Sequence, residues 1–228
     1  MISFEELGIR ADIVSALVEL GFEHPMPVQE KVIPLLLEKN MDIVCLAQTG
    51  TGKTAAFGLP LIQKIELDDH HVQSLILCPT RELCVQIAGD FNDYARNIDK
   101  LKVLPVYGGS SMEVQLKALK KGVHIVVATP GRLVDLIERK AIKLNMVSTI
   151  VLDEADEMLN MGFLDSINEI LEEVPEGHRT LLFSATMSKE ISSIARKYMN
   201  NPVEITIGTK NSSADNVSHA YYLIHAKD

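Results

Sequence analysis

Ala47-Gln48-Thr49-Gly50-Thr51-Gly52-Lys53-Thr54 follows a short apolar, β-branched run and precedes a stretch with helical spacing. A glycine-rich turn ending in Gly-Lys-Thr can present its backbone N–H groups to a polyphosphate. Lys53 would reach the terminal phosphates, and the Thr54 hydroxyl would ligate Mg²⁺. Far downstream, Asp153-Glu154-Ala155-Asp156 ends another apolar run, Thr149-Ile150-Val151-Leu152. Asp153 could hold Mg²⁺ directly or through water, and Glu154 could polarise an attacking water. Phosphoryl transfer needs mostly positioning and charge neutralisation, so these groups make half of a plausible site. Each string alone has a plainer reading, as a Gly/Thr-rich turn or as acidic residues opening a helix. Their order, each at a strand end, points to nucleotide chemistry. The general Gly-x-x-x-x-Gly-Lys-Thr pattern has Ala47 in place of its first glycine, and no transition-state arginine stands out.

Other residues offer binding rather than bond-making. Pro79-Thr80-Arg81 and Thr129-Pro130-Gly131-Arg132 each follow a strand-like run and open a helical stretch. Free N–H groups and the dipole at such helix starts attract phosphate, and Arg81 and Arg132 add charge-assisted donors. Ordinary capping with surface arginines is the simpler account of either segment by itself. Together they put two anion-binding helix ends on one sheet edge, and backbone contacts of this kind carry no base information. Gly108-Gly109 is a turn that lets a ligand approach the backbone closely. Ser184 and Thr186 either satisfy a strand end or link Asp153 or Asp156 to the rest of a site. The Gln29 amide matches the N6/N7 edge of adenine, while Phe4 either stacks on that ring or staples the N-terminal helix.

The elements that would position these groups are legible as alternating patterns. Strands are expected near 43–46, 74–78, 102–106, 124–128, 149–152, 180–183 and 203–206. Helices are expected over 54–64, 80–96, 111–120, 131–138, 165–173 and 189–199. The alternation and the unbroken apolar strands predict a mostly parallel α/β sheet covered by helices on both faces. Residues 1–38, helical around 13–20 and broken by Pro25 and Pro27, read as an add-on to this fold at 39–207. A polar linker starts at 208, and strand chemistry at 217–224 suggests the approach to a further domain.

With 228 residues, 46% hydrophobic and 23% charged, the composition is that of a globular α/β protein. No apolar stretch has the length of a membrane helix, and the start does not read as a signal peptide. Cys45, Cys78 and Cys84 have neither zinc nor disulfide spacing, so buried, reduced thiols in a cytoplasmic protein are expected. A net charge of −9 argues against a broad electrostatic footprint for nucleic acid. The lysines at 117, 120 and 121 read as a solvated helix face.

From Phe4 to Thr206 the chain resembles the DEAD-box family of RNA helicases. Ala47–Thr54 is similar to that family's phosphate loop, alanine included, and Asp153–Asp156 to its namesake motif. Pro79-Thr80-Arg81, Gly108-Gly109 and Thr129-Pro130-Gly131-Arg132 look like the segments that grip RNA backbone. Ser184-Ala185-Thr186 is similar to the segment coupling ATP state to RNA. The stretch 21–29 resembles the adenine-reading Q motif that ends on Gln29, and Phe4 corresponds to the family's isolated upstream aromatic. The resemblance implies a RecA-like domain of P-loop NTPase type that binds ATP and Mg²⁺. It also implies sequence-independent RNA binding, a second RecA-like domain carrying an arginine finger, and a monomer without membrane contact. Met26 stands where the family usually has a hydroxyl residue, and Cys84 replaces a more usual alanine. The alternatives are a non-catalytic nucleotide-dependent RNA-binding adaptor and a DNA-directed motor.

Overall fold

The inner apolar runs become parallel strands buried on both faces, which is why they lack polar alternation. The structure, a computed structural model, describes residues 2–208. The strands are β1 (Ile43–Leu46), β2 (Ser74–Leu77), β3 (Val103–Val106), β4 (Ile125–Ala128), β5 (Thr149–Leu152), β6 (Arg179–Ser184) and β7 (Val203–Thr206). They form one sheet in the order β3-β4-β2-β5-β6-β1-β7. Every pairing is parallel, so the expected α/β class holds with no antiparallel member among the described residues. The strand expected at 217–224, and the linker beyond Gly208, lie outside the described residues.

Successive strand residues point to opposite faces, and the strands therefore feed two cores. Ile43, Cys45, Ile76, Val127, Val151 and Phe183 pack with α1 (Ala11–Glu19), α2 (Pro27–Glu38), α3 (Lys53–Gln63) and α4 (Arg81–Tyr94). Val44, Leu75, Val126, Ile150 and Leu182 face the other layer. That layer holds α5 (Met112–Lys120), α6 (Pro130–Glu138), α7 (Ala155–Asn160), α8 (Leu164–Glu173) and α9 (Lys189–Tyr198). Phe57 tilts against Phe183 at 5.1 Å and Phe91 at 6.1 Å between centroids, tying α3 to β6 and α4. Burying each ring contributes about 2–3 kcal/mol.

The main departure from expectation is α2. Pro27 starts this helix instead of breaking it, because the first helical residue has no use for its N–H. The helix continues through Pro34 at the loss of one internal hydrogen bond. Val28, Val32, Ile33 and Leu36 then join Phe4, Leu7, Ile13 and Leu17 in the core shared with α3. The N-terminal segment expected as an add-on is thus packed into the main core. The short helix α7 was also not anticipated; its exposed positions carry Glu157 and Asn160, while Ala155 and Met158 are buried.

Candidate nucleotide site and nucleic-acid edge

The C-terminal ends of β5, β6 and β1 are neighbours in the sheet, and the acidic cluster, Ser184 and the phosphate loop extend from them. Gly50 (φ +80) and Gly52 (φ +86) turn the loop through left-handed backbone that only glycine adopts freely. A Cβ on Gly52 would also lie 2.5 Å from Gln29 Nε2 and 2.8 Å from Met26 Sδ. Thr51 Oγ1 donates to the Gln48 carbonyl at 2.7 Å, and buried Lys53 donates to the Ala47 carbonyl at 3.2 Å. Thr54 follows in the first turn of α3. The Ala47 N–H donates to the Ser184 carbonyl at 3.0 Å, fastening the loop to β6. Behind it, burial pushes the Cys45 thiol up to about 12, so this sulfur is inert packing.

Gln29 is 1% exposed and spans from α2 to the loop. Its Nε2 donates to the Gly52 carbonyl at 3.1 Å, and its Oε1 accepts from the Met26 N–H at 2.8 Å. Phe4 is not brought to the loop surface. It is 4% exposed and packs edge-on against Phe22, which meets Tyr94 in the same way.

Asp153 is 4% exposed, and burial raises its pKa to about 6 against the attraction of Lys53; Glu154 and Asp156 add repulsion. Glu154 takes left-handed backbone (φ +51) at the start of α7, and its N–H donates to Asp153 Oδ1 at 3.1 Å. Thr49 Oγ1 donates to Glu154 Oε1 at 3.3 Å, so the loop and the acids already touch. Asp156 Oδ2 accepts from the Thr186 N–H (3.0 Å) and Oγ1 (3.1 Å). Ser184 Oγ donates to the Thr186 carbonyl at 2.8 Å. Of the two carboxylates open to this link, the structure joins Asp156.

The residues suit a nucleotide with Mg²⁺. Among the described residues no cluster of three or more His, Cys, Asp or Glu could hold a metal by itself. One hydroxyl (Thr54) and one carboxylate (Asp153) suit a cation that keeps waters and shares phosphate oxygens. The raised pKa of Asp153 marks a buried charge that its protein neighbours compensate incompletely.

The other half of the same edge is formed by β2, β4 and β3. Thr80 caps α4, its hydroxyl accepting from the Leu83 N–H at 3.2 Å, and Arg81 lies over the Tyr107 ring at 5.1 Å. Pro79 joins β2 to this cap. Gly108 and Gly109 follow Tyr107, with Gly109 at φ +81 beside Arg81. Thr129 precedes α6 without a side-chain cap bond, Pro130 occupies the first turn, and a Cβ on Gly131 would meet open space. Arg132 Nη1 donates to the Ser110 carbonyl (3.3 Å) and to Gln115 Oε1 (3.2 Å). Sequence reasoning missed Gln115 and Tyr107. Gln115 left a signal, a polar residue on the apolar stripe Met112, Leu116 and Leu119 of α5.

The DEAD/DEAH box helicase family matches residues 26–194. The chain belongs to this family. It is 45% identical, over 100% of its length, to the DEAD-box ATP-dependent RNA helicase CshA of Geobacillus kaustophilus (strain HTA426), and covers 48% of that relative. Against the ATP-dependent RNA helicase CshA of Listeria monocytogenes the identity is 49%, covering 44%. The chain thus spans about half the length of these DEAD-box relatives. A crystal structure of a DEAD box protein from the hyperthermophile Methanococcus jannaschii matches 90% of the chain and 56% of its own, with TM-score 0.86 and 43% identity. The structure of a hypothetical ATP-dependent RNA helicase from Sulfolobus tokodaii matches 87% and 57%, with TM-score 0.80 and 39% identity. The sheet is accordingly the RecA-like domain of DEAD-box proteins.

Proposed function

We propose that the chain is the ATP-binding half of an ATP-dependent RNA helicase, in which hydrolysis drives remodelling of short RNA duplexes. The observation that carries this reading is the shared edge. The phosphate loop and acids extend from β1 and β5, and the backbone-gripping segments extend from β2, β3 and β4 of the same sheet. ATP supplies the transferable phosphoryl group. The Gly50–Thr54 turn and Lys53 would cradle its phosphates, Thr54 and Asp153 would hold Mg²⁺, and Glu154 would orient the attacking water.

Gln29 can read adenine without releasing the loop. A primary amide has two N–H donors and two carbonyl lone pairs, and Gly52 and Met26 use one of each. The Asp156–Thr186 bonds join the acids to the segment after β6, giving nucleotide state a route into that segment. RNA would be held through phosphates by helix starts and by Arg81 and Arg132, with no base readout. This local mode is compatible with a net charge of −9. A second RecA-like domain would complete the site, a reading supported by relatives about twice as long. The three cysteines, free and buried, fit a reducing compartment such as the cytoplasm.

The test uses the longer protein that contains this chain. RNA should stimulate its ATPase, and Glu154→Gln should abolish turnover while leaving ATP binding nearly intact. Residues 1–228 alone should bind adenine nucleotides with turnover near background. RNA-stimulated turnover by residues 1–228 alone, or stimulation of the longer protein by DNA only, would refute the reading.

A further inference from the structure

The apolar residues of α5 recur at Met112, Leu116 and Leu119, the spacing of one helix face. Gln115 lies on that face and is the one residue of α5 that is fully buried, at 2% exposure. A buried primary amide is unfavourable unless it is bonded, and both ends of this one are. Nε2 donates to the Tyr107 carbonyl at 3.2 Å, while Oε1 accepts from Arg132 Nη1 at 3.2 Å. The same Nη1 donates to the Ser110 carbonyl at 3.3 Å, and Asp135 stands 3.9 Å from Nε. Tyr107 in turn carries the Arg81 guanidinium over its ring. One side chain therefore ties the loop after β3 to the start of α6 and, through Tyr107, to the start of α4.

A guanidinium is a rigid planar fork, so pinning one nitrogen with two acceptors sets the direction of the rest. Arg132 is held in this way by Ser110 from one segment and Gln115 from another. We infer that Gln115 is a positioning residue for RNA, aiming the Arg132 guanidinium at the phosphate backbone while taking no part in nucleotide chemistry. The inference rests on the RNA reading above. The bland alternative is that Gln115 only fills space beneath α5.

The two differ in how RNA affinity responds to salt and to Arg132. The experiment measures RNA binding by the longer protein across a salt series, with ADP affinity and thermal midpoint as controls for an intact fold. Gln115→Met keeps the length and volume of the side chain but removes both hydrogen bonds. It should weaken RNA binding about tenfold. It should also make the slope of log affinity against log salt shallower by about one phosphate contact, as Arg132→Ala does. Added to Arg132→Ala, it should weaken RNA binding little further. Unchanged affinity and slope, or equal losses with and without Arg132, would overturn the inference. Should the methionine variant fail to fold, Gln115→Leu is judged by the same criteria. If the unsubstituted protein does not bind RNA, the functional reading falls and this inference with it. If it binds and Gln115→Met binds equally well, only the inference falls.

Discussion

At Asp153 the fold keeps a carboxylate where burial disfavours its charge, raising the pKa from an ordinary 3.8 to about 6. A raised carboxyl pKa means that the folded state holds a proton the unfolded chain has released. The contribution of Asp153 to stability is therefore greatest below pH 4 and is lost as pH rises through 6. In the nucleotide-free chain, Asp153→Asn should stabilise by up to about 3 kcal/mol at pH 7 to 8, with the gain vanishing near pH 4. Denaturant melts across that range would check it; a variant destabilised at pH 8 would show that Lys53 compensates the charge. The types of these residues were legible in the sequence, but their engagements were not. Nothing in the spacing of Gln29 shows that its amide is already bonded to Gly52 and Met26. Likewise, the choice of Asp156 over Asp153 as the partner of Thr186 depends on where α7 begins.

At the scale of elements, the nucleotide end depends on how α2 meets the turn into α3. Gly52 caps α3 in left-handed backbone, and Gln29 closes onto its carbonyl. Gly52→Ala adds roughly 1 kcal/mol of backbone strain and forces a Cβ into the Gln29 amide, which must swing away. Gln29→Ala removes the amide and leaves the turn unstrained. Both should weaken adenine nucleotide binding. Gly52→Ala should destabilise the nucleotide-free fold by about 2 kcal/mol or more, against about 1 kcal/mol for Gln29→Ala. Thermal melts paired with ADP and GDP titrations separate the effects; a Gln29→Ala protein that still prefers ADP over GDP would remove the adenine role. Seven of the helices were legible because each carries an apolar stripe of two turns or more. α2 was not, since Pro25 and Pro27 signal interruption unless the second is recognised as a first-turn residue. Six residues with two buried positions leave α7 too short for its period to register.

At the scale of the molecule, strand order was the part the sequence could not supply. Local periodicity marks where strands are, whereas the order β3-β4-β2-β5-β6-β1-β7 is set by which crossovers bury the two cores together. The N-terminal segment belongs to that whole-molecule packing. Phe4, Leu7, Ile13 and Leu17, with Val28, Val32, Ile33 and Leu36 from α2, share one core with Phe57, Leu59 and Leu61 of α3. A chain restricted to 39–208 would keep every strand and both halves of the functional edge except Gln29. It would also uncover a contiguous apolar surface of the kind a monomer rarely exposes. Such a fragment is expected to bind a hydrophobic dye, associate, and lose the sharp melt of residues 1–208, whereas a fragment starting at Met26 should be affected less. A monomeric 39–208 fragment with a cooperative melt and no dye binding would show the segment to be dispensable for folding. Its remaining role would then be to present Gln29 to the phosphate loop.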